Sequence, residues 1–125
     1  MRLPYNTTYQ PAFPSLPVVL RNNEAELSTE EATALLDTGS DGSIVPIEQL
    51  RTILAPVVTE ARIRSHWGEW RTVQLFAVDI QVGLMTIPGV FVVGDEEGDE
   101  IILGRDFLNK LRVVLDGLSQ FTELK

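Results

Sequence analysis

The chain has 125 residues, a net charge of −8 at pH 7, 44% hydrophobic and 22% charged residues, a single His66 and no cysteine. That is one domain with apolar residues enough for a core, and it is too acidic for nucleic acid or an anionic membrane surface, both of which need concentrated Lys and Arg. The absence of cysteine excludes disulfides, thiolate metal sites and a Cys nucleophile, and one imidazole cannot build a multi-His metal site, so neither metal nor cofactor is expected; a cysteine-free chain suits the cytosol, and a cytoplasmic location is expected.

Met1 to Pro17 carries four prolines and few charges. This predicts an extended N-terminal arm rather than a helix, of the kind that stays disordered unless another surface holds it. Its start, Met1-Arg2-Leu3-Pro4-Tyr5, lacks the apolar stretch of a signal peptide. No apolar run anywhere approaches the roughly 20 residues of a membrane span. The domain proper is expected over residues 18–125.

Val18-Val19-Leu20 reads as a strand closed by the turn pair Asn22-Asn23. Ser28 with Glu31 forms a capping-box pattern that favours a helix, whereas Thr33-Ala34-Leu35-Leu36 favours a buried strand; the strand fits the rest of the chain better. Glu48 to Leu54 predicts a short helix. Val57 to Ile63 and Arg71 to Ile80 predict strands, with Trp67-Gly68-Glu69 as the tight turn between them. Val78 to Val82 and Val90 to Val93 predict a further pair around Gly83 to Gly89. Asp95 to Asp99 is an acidic loop. Ile101-Ile102-Leu103 is a buried strand ending at Gly104, Arg105 to Leu111 a short helix, and Val113-Val114-Leu115, the turn Asp116-Gly117 and Phe121 to Leu124 a terminal hairpin. Many short strands with one or two short helices predict an all-β, closed or partly closed barrel.

Chemistry concentrates at Asp37-Thr38-Gly39-Ser40. Three apolar residues deliver one carboxylate to the end of a buried strand, Gly39 lets backbone approach it closely, and Thr38 and Ser40 add hydroxyls. Asp-Thr-Gly is also a common turn tripeptide whose Asp accepts local N–H bonds, so the tripeptide alone leaves both readings open. A second element lies far downstream: Ile101-Ile102-Leu103-Gly104-Arg105-Asp106-Phe107-Leu108, an apolar strand, a glycine, and a helix beginning with Arg.

With both elements in this order, the chain resembles the retropepsin-like (retroviral-type) single-lobe aspartic proteases, as a prokaryotic-type member. The resemblance covers roughly Val18 to Leu124. It implies a retropepsin-like barrel, a homodimer in which each chain supplies half an active site, and an aspartic endopeptidase cleaving extended polypeptides near apolar residues. Asp37, Thr38 and Gly39 take the catalytic positions. Two facing carboxylates share one proton; the ionised one activates a water and the protonated one donates to the scissile carbonyl. Thr38 hydrogen-bonds across the dimer in this family. The Pro-rich arm and terminal hairpin are the strands expected to pair across the dimer axis. Asp41 matches an acid that binds substrate backbone, and Arg105, beside Gly104, matches an arginine that pairs with it. The other reading of Arg105 is a solvated helix-start residue; the pair is preferred because a cation opposes the dipole at a helix N-terminus. Ser40 is expected to donate to ionised Asp37 and to favour an acidic working range. The flap that covers the site in the family matches Arg64 to Arg71, with His66, Trp67 and Gly68 at its tip, although its single glycine and two tryptophans depart from Gly-rich retroviral flaps.

Two other classes remain. One is a catalytically silent module of the same fold that binds peptide. The other is a calcium-loop protein, since Asp37, Asp41, Gly42, Ile44 and Glu48 fall at positions 1, 5, 6, 8 and 12 of such a loop. Gly39 and Val45 occupy two ligand positions, and Pro46 disfavours the loop's end, so calcium is disfavoured.

Overall fold

The computed structural model describes all 125 residues. In chain order it comprises β1 (Arg2–Pro4), β2 (Ser15–Asn22), β3 (Leu27–Ser28), β4 (Ala32–Leu36), β5 (Ile44–Pro46), α1 (Ile47–Thr52), β6 (Val57–Arg64), β7 (Trp70–Val82), β8 (Met85–Asp95), β9 (Ile101–Leu103), α2 (Arg105–Leu108), β10 (Val113–Asp116) and β11 (Phe121–Leu124). The large sheet runs β3-β2-β4-β9-β5-β8-β7-β6, and β2 also pairs with β7. β2 achieves this by changing partner half-way: Ser15 to Val18 oppose β4, and Val19 to Arg21 oppose β7. The switch closes β2, β4, β9, β5, β8 and β7 into a barrel.

Alternation fills the interior. Leu16, Val18 and Leu20 of β2 and Phe76, Val78, Ile80 and Val82 of β7 all point inward and are buried, as the two-residue period of a strand dictates. Ile47 and Leu50 of α1 and Phe107 of α2 are buried in the same core. The residues following the capping-box pattern form strand β4, not a helix; Ala34, Leu35 and Leu36 are too apolar to leave on a surface helix, and all three are buried.

Three expectations change. The segment Gly83 to Gly89 is not a loop: β7 and β8 continue to a tight turn at Gly83-Leu84, with Val82 opposite Met85. Gly83 has φ +59° there, a left-handed conformation that glycine adopts without strain. The helix after Gly104 stops at Leu108, because Lys110 and Leu111 donate to Phe107 and Leu108 in tight three-residue turns. Finally, the arm has a partner within its own chain. β1 lies antiparallel to β11, which also pairs with β10, in a second sheet of order β1-β11-β10. No helix is long and apolar enough to cross a membrane.

Candidate active site

β4 and β9 run parallel and adjacent, with Leu36 opposite Leu103. Both strands are buried and end at the same level, so the next residues, Asp37 and Gly104, emerge side by side. The Asp37 N–H donates to the Leu103 carbonyl (3.0 Å), and the Ser40 N–H closes a turn on the Asp37 carbonyl (3.1 Å). Asp37 is half-buried, and its Oδ1 accepts the Gly39 N–H at 2.9 Å. A Cβ at Gly39 would stand 3.1 Å from that oxygen, so glycine keeps the space in front of the carboxylate open.

The α2 junction grips this turn from below. The Arg105 N–H donates to the Ser40 carbonyl (2.9 Å) and its Nη1 to the Thr38 carbonyl (2.7 Å), the latter joining positions 67 residues apart. Gly104 is buried, and a Cβ there would lie 2.5 Å from the Gly42 carbonyl oxygen and 2.8 Å from that of Ser40. Both obstacles are backbone, so only glycine permits this approach.

Two residues to which the sequence assigned no role complete the junction. Ser43 is fully buried. Its Oγ donates to Asp106 Oδ1 (2.7 Å) and accepts the Gly104 N–H (3.0 Å), while its own N–H donates to Asp106 Oδ2 (3.1 Å). Asp106 Oδ1 also accepts the Phe107 N–H at 2.8 Å. One carboxylate thus satisfies the loop after Asp37 and the start of α2 together.

Above the barrel, β6 and β7 form a long hairpin whose connection, Ser65 to Glu69, is closed by its own bonds: Ser65 N–H to Glu69 carbonyl (2.8 Å), Gly68 N–H to Ser65 carbonyl (3.0 Å) and Glu69 N–H to Ser65 Oγ (3.1 Å). Gly68 takes φ +89° in this turn. His66 meets Trp67 edge-on at 5.4 Å, and Trp67 is 88% exposed. The Arg62 guanidinium lies 4.9 Å over the Trp70 ring. Between this hairpin and β5, Ile44, Ile63, Val73 and Val93 line an apolar groove, with Arg71 and Asp95 at its rim.

No protein-family model matches the chain, and no curated protein matches it in sequence. Among solved structures, the crystal structure of a retropepsin-like aspartic protease from Rickettsia conorii matches it with a TM-score of 0.64 at 10% identity, over 98% of this chain and 86% of that chain. The fold is retropepsin-like. The likeness extends across the arm, the barrel and the terminal sheet alike, and at this identity it carries the fold alone.

Within the retropepsin-like fold, Asp37, Thr38, Gly39, Gly104 and Arg105 come together, as the two motifs suggested. Two of the expected bonds do not form. Arg105 makes no ion pair with Asp41: its guanidinium goes to the Thr38 carbonyl, and Asp41 is exposed. The anion at the start of α2 is Asp106, in its first turn, so no charge from Asp41 is needed there. Solvent also makes an exposed pair with Asp41 worth only ~0–1 kcal/mol. Ser40 Oγ donates to the Gly42 carbonyl at 2.6 Å rather than to Asp37. A carbonyl two residues away in the same turn is reached without reorienting the side chain. His66, Trp67 and Gly68 share the hairpin tip but make no hydrogen bond to the Asp37 turn. Glu48, the last position of the calcium-loop pattern, lies on α1 and pairs with Arg51 at 2.7 Å.

Proposed function

We propose that this chain is an aspartic endopeptidase that hydrolyses extended polypeptides near apolar residues and is active as a homodimer. The observation that carries the reading is the delivery of Asp37, half-buried, from parallel strands onto a turn that Leu103 and Arg105 hold by backbone and guanidinium bonds. A carboxylate fixed in this way keeps its direction without reorganising during reaction. One such group per chain means that the second must come from a partner.

Two Asp37 side chains facing across a two-fold axis would share one proton, because adjacent like charges resist joint ionisation. The ionised carboxylate takes a proton from a bound water, whose oxygen attacks the scissile carbonyl carbon. The protonated carboxyl donates to the carbonyl oxygen, giving a tetrahedral diol that collapses as the amine leaves with a proton. Exposed Thr38 would hydrogen-bond across to the partner's turn. Ser40 and Asp41 flank the substrate backbone, and His66, Trp67 and Gly68 cover it. The domain assigned to this work is residues 18–125 with the arm preceding it, and the location proposed is cytoplasmic.

The test is cleavage of an unfolded protein across a pH series by wild type and Asp37→Asn. The wild type passes through a maximum with pH, since only the singly protonated pair holds both an acid and a base. Asp37→Asn folds but loses turnover. Equal cleavage by the two proteins would remove Asp37 from the mechanism, and binding of peptide without cleavage would make the chain a silent module.

A further inference from the structure

Side chains alternate between the two faces of β4. Ala34 and Leu36 belong to the core, whereas Leu35, also buried, stands outside it. The bond from the Asp37 N–H to the Leu103 carbonyl carries the β4–β9 ladder one residue further. Thr33, Leu35 and Asp37 therefore share the face turned away from the core, with Leu35 and Asp37 ~7 Å apart along the strand. Ala34 lies opposite Ile101 and Leu35 opposite Ile102, so the same register sets Glu100 beside Thr33 on that face.

The N-terminal arm folds over this face. Asn6 and Phe13 exchange backbone hydrogen bonds at 2.8 and 3.0 Å, and the Tyr9 ring meets Phe13 edge-on at 5.4 Å. The Tyr9 hydroxyl donates to Glu100 Oε2. Arm and strands together bound a cavity of about 270 Å³, lined by Asn6, Tyr9, Thr33, Leu35, Asp99 and Glu100.

The lining says what fits. Leu35 gives an apolar floor, and the rim holds two carboxylates and no cation. Neither carboxylate belongs to an ion pair, and residues 3–20, which supply the arm wall, carry no charge of either sign. Tyr9 engages one oxygen of Glu100 and so fixes its direction, leaving Oε1 as an acceptor. The groove lined by Ile44, Ile63, Val73 and Val93 differs: its rim has one arginine and one aspartate, whose charges cancel. A long apolar stem with a cationic head matches the cavity, the stem along Leu35 and the head at Asp99 and Glu100. A carboxylate side chain would be repelled.

We propose that this cavity selects a lysine or arginine side chain of the polypeptide, within two residues of the bond cut. Asp99 and Glu100 determine that specificity, and Tyr9 is a positioning residue for Glu100. The spacing follows from the ~7 Å between Leu35 and Asp37, which two residues of extended peptide span. This inference rests on the peptidase reading and narrows its substrate: apolar side chains at other positions, a cationic one here.

The test is a set of otherwise identical peptides with Lys, Arg, Leu or Glu at each of the two positions on either side of the scissile bond, cut by the full chain. At one of these positions kcat/KM for Lys and Arg is expected to exceed that for Leu about tenfold, with Glu cut slowest. A lysine moved to the end of the peptide keeps the net charge and loses the advantage, which separates the cavity from general attraction to an acidic protein. Asp99→Asn with Glu100→Gln abolishes the Lys-to-Leu preference, and Tyr9→Phe lowers it by a smaller factor. A ratio is read, so a uniform loss of activity does not imitate the effect; if the double variant misfolds, the dependence on lysine position in wild type still decides. Equal cleavage of the Lys and Leu peptides at every position, or a preference that the double variant keeps, overturns the cavity's role and leaves the peptidase reading standing. If nothing is cut, the peptidase reading falls, and the Kd of the same peptides decides: a Lys preference lost in the double variant upholds the cavity, and equal or absent binding overturns it.

Discussion

The Asp37 turn and the hairpin tip at Trp67 sit on the same barrel, yet they are held in opposite ways. The turn is bound to segments more than sixty residues away in sequence, by Leu103, Arg105 and the Ser43–Asp106 pair. The tip is held only by bonds among Ser65, Gly68 and Glu69. A group that must present a carboxylate in one direction needs surroundings that over-determine it. In the proposed peptidase, a hairpin that opens and closes over a polypeptide would need few ties to the body beneath it. Long-range bonding, more than exposure of a motif, separates the fixed turn from the loosely tied tip, which under that proposal are the chemical part of the site and its cover.

The largest break in this comparison comes from Gly104→Ala. The new methyl would meet two backbone carbonyls at 2.5 and 2.8 Å, and neither can move without displacing the Asp37 turn. A loss of about 3 kcal/mol in denaturant unfolding is expected, together with the loss of cleavage. Unchanged unfolding would show that the turn tolerates displacement.

Ser43→Ala comes next. It leaves the Gly104 N–H without its acceptor and Asp106 without its hydroxyl donor in a buried place, which costs about 2 kcal/mol. The same unfolding measurement reads it, and a change below 0.5 kcal/mol, roughly the scatter of surface substitutions, would mean that the network is not structural.

Arg105 and Asp41 sharpen the comparison by separating a tied residue from an untied one. Arg105→Ala is expected to lower stability by about 1 kcal/mol through the lost bond to Thr38, and Asp41→Ala by less than about 0.5 kcal/mol. Their double mutant should be additive. A coupling energy comparable to the Arg105 effect would restore the Arg105–Asp41 ion pair.

A smaller effect is expected in acid at the β10–β11 turn. The Ser119 N–H donates to Asp116 Oδ1 at 3.0 Å, and this bond chiefly holds the Asp116 carboxyl below its ordinary range. A carboxyl lowered by folding contributes stability above its unfolded value, near pH 4, and that contribution disappears as pH falls through the lower folded value. Unfolding midpoints measured from about pH 5 downward should therefore fall less steeply in Asp116→Asn than in wild type. Parallel curves would show that the turn does not sense this proton.

Trp67→Ala should leave thermal stability unchanged within about 0.5 kcal/mol, because so little of the ring is covered. Its effect belongs in KM, raised with kcat nearly constant if the ring covers bound substrate. A large loss of stability would mean that the tip is packed in solution and is not the free end of the comparison.

Much of the barrel was legible in the sequence. The runs Thr33 to Leu36 and Ile101 to Leu103, each followed by a residue that leaves the strand, announced two buried strands; the resemblance that their motifs carry implied that they meet at one junction. Long strands were read short where polar or turn-prone residues interrupted them, as at Thr86, Pro88 and Gly89 in β8, because neighbouring strands continue the pairing regardless of local preference. Ser43 and Asp106 went unassigned although both stand beside quoted motifs. Their bond spans 63 residues, and nothing local to either marks a partner.

The amino-acid sequence by itself determined where apolar strands lie and that they build a barrel, because burial follows from side-chain alternation and composition over a few residues; that Asp37 and Gly104-Arg105 belong together followed only from the resemblance carried by the two motifs. Tertiary structure alone decided which polar groups meet: Arg105 with the Thr38 carbonyl, Ser40 with the Gly42 carbonyl, Asp106 with Ser43, and β1 with β11 of its own chain. The physical reason is range. Hydrophobic burial is non-directional and survives shifts of an ångström, whereas a hydrogen bond forms only within a narrow distance and angle, and those are set by the register of strands that the chain brings together from its two ends.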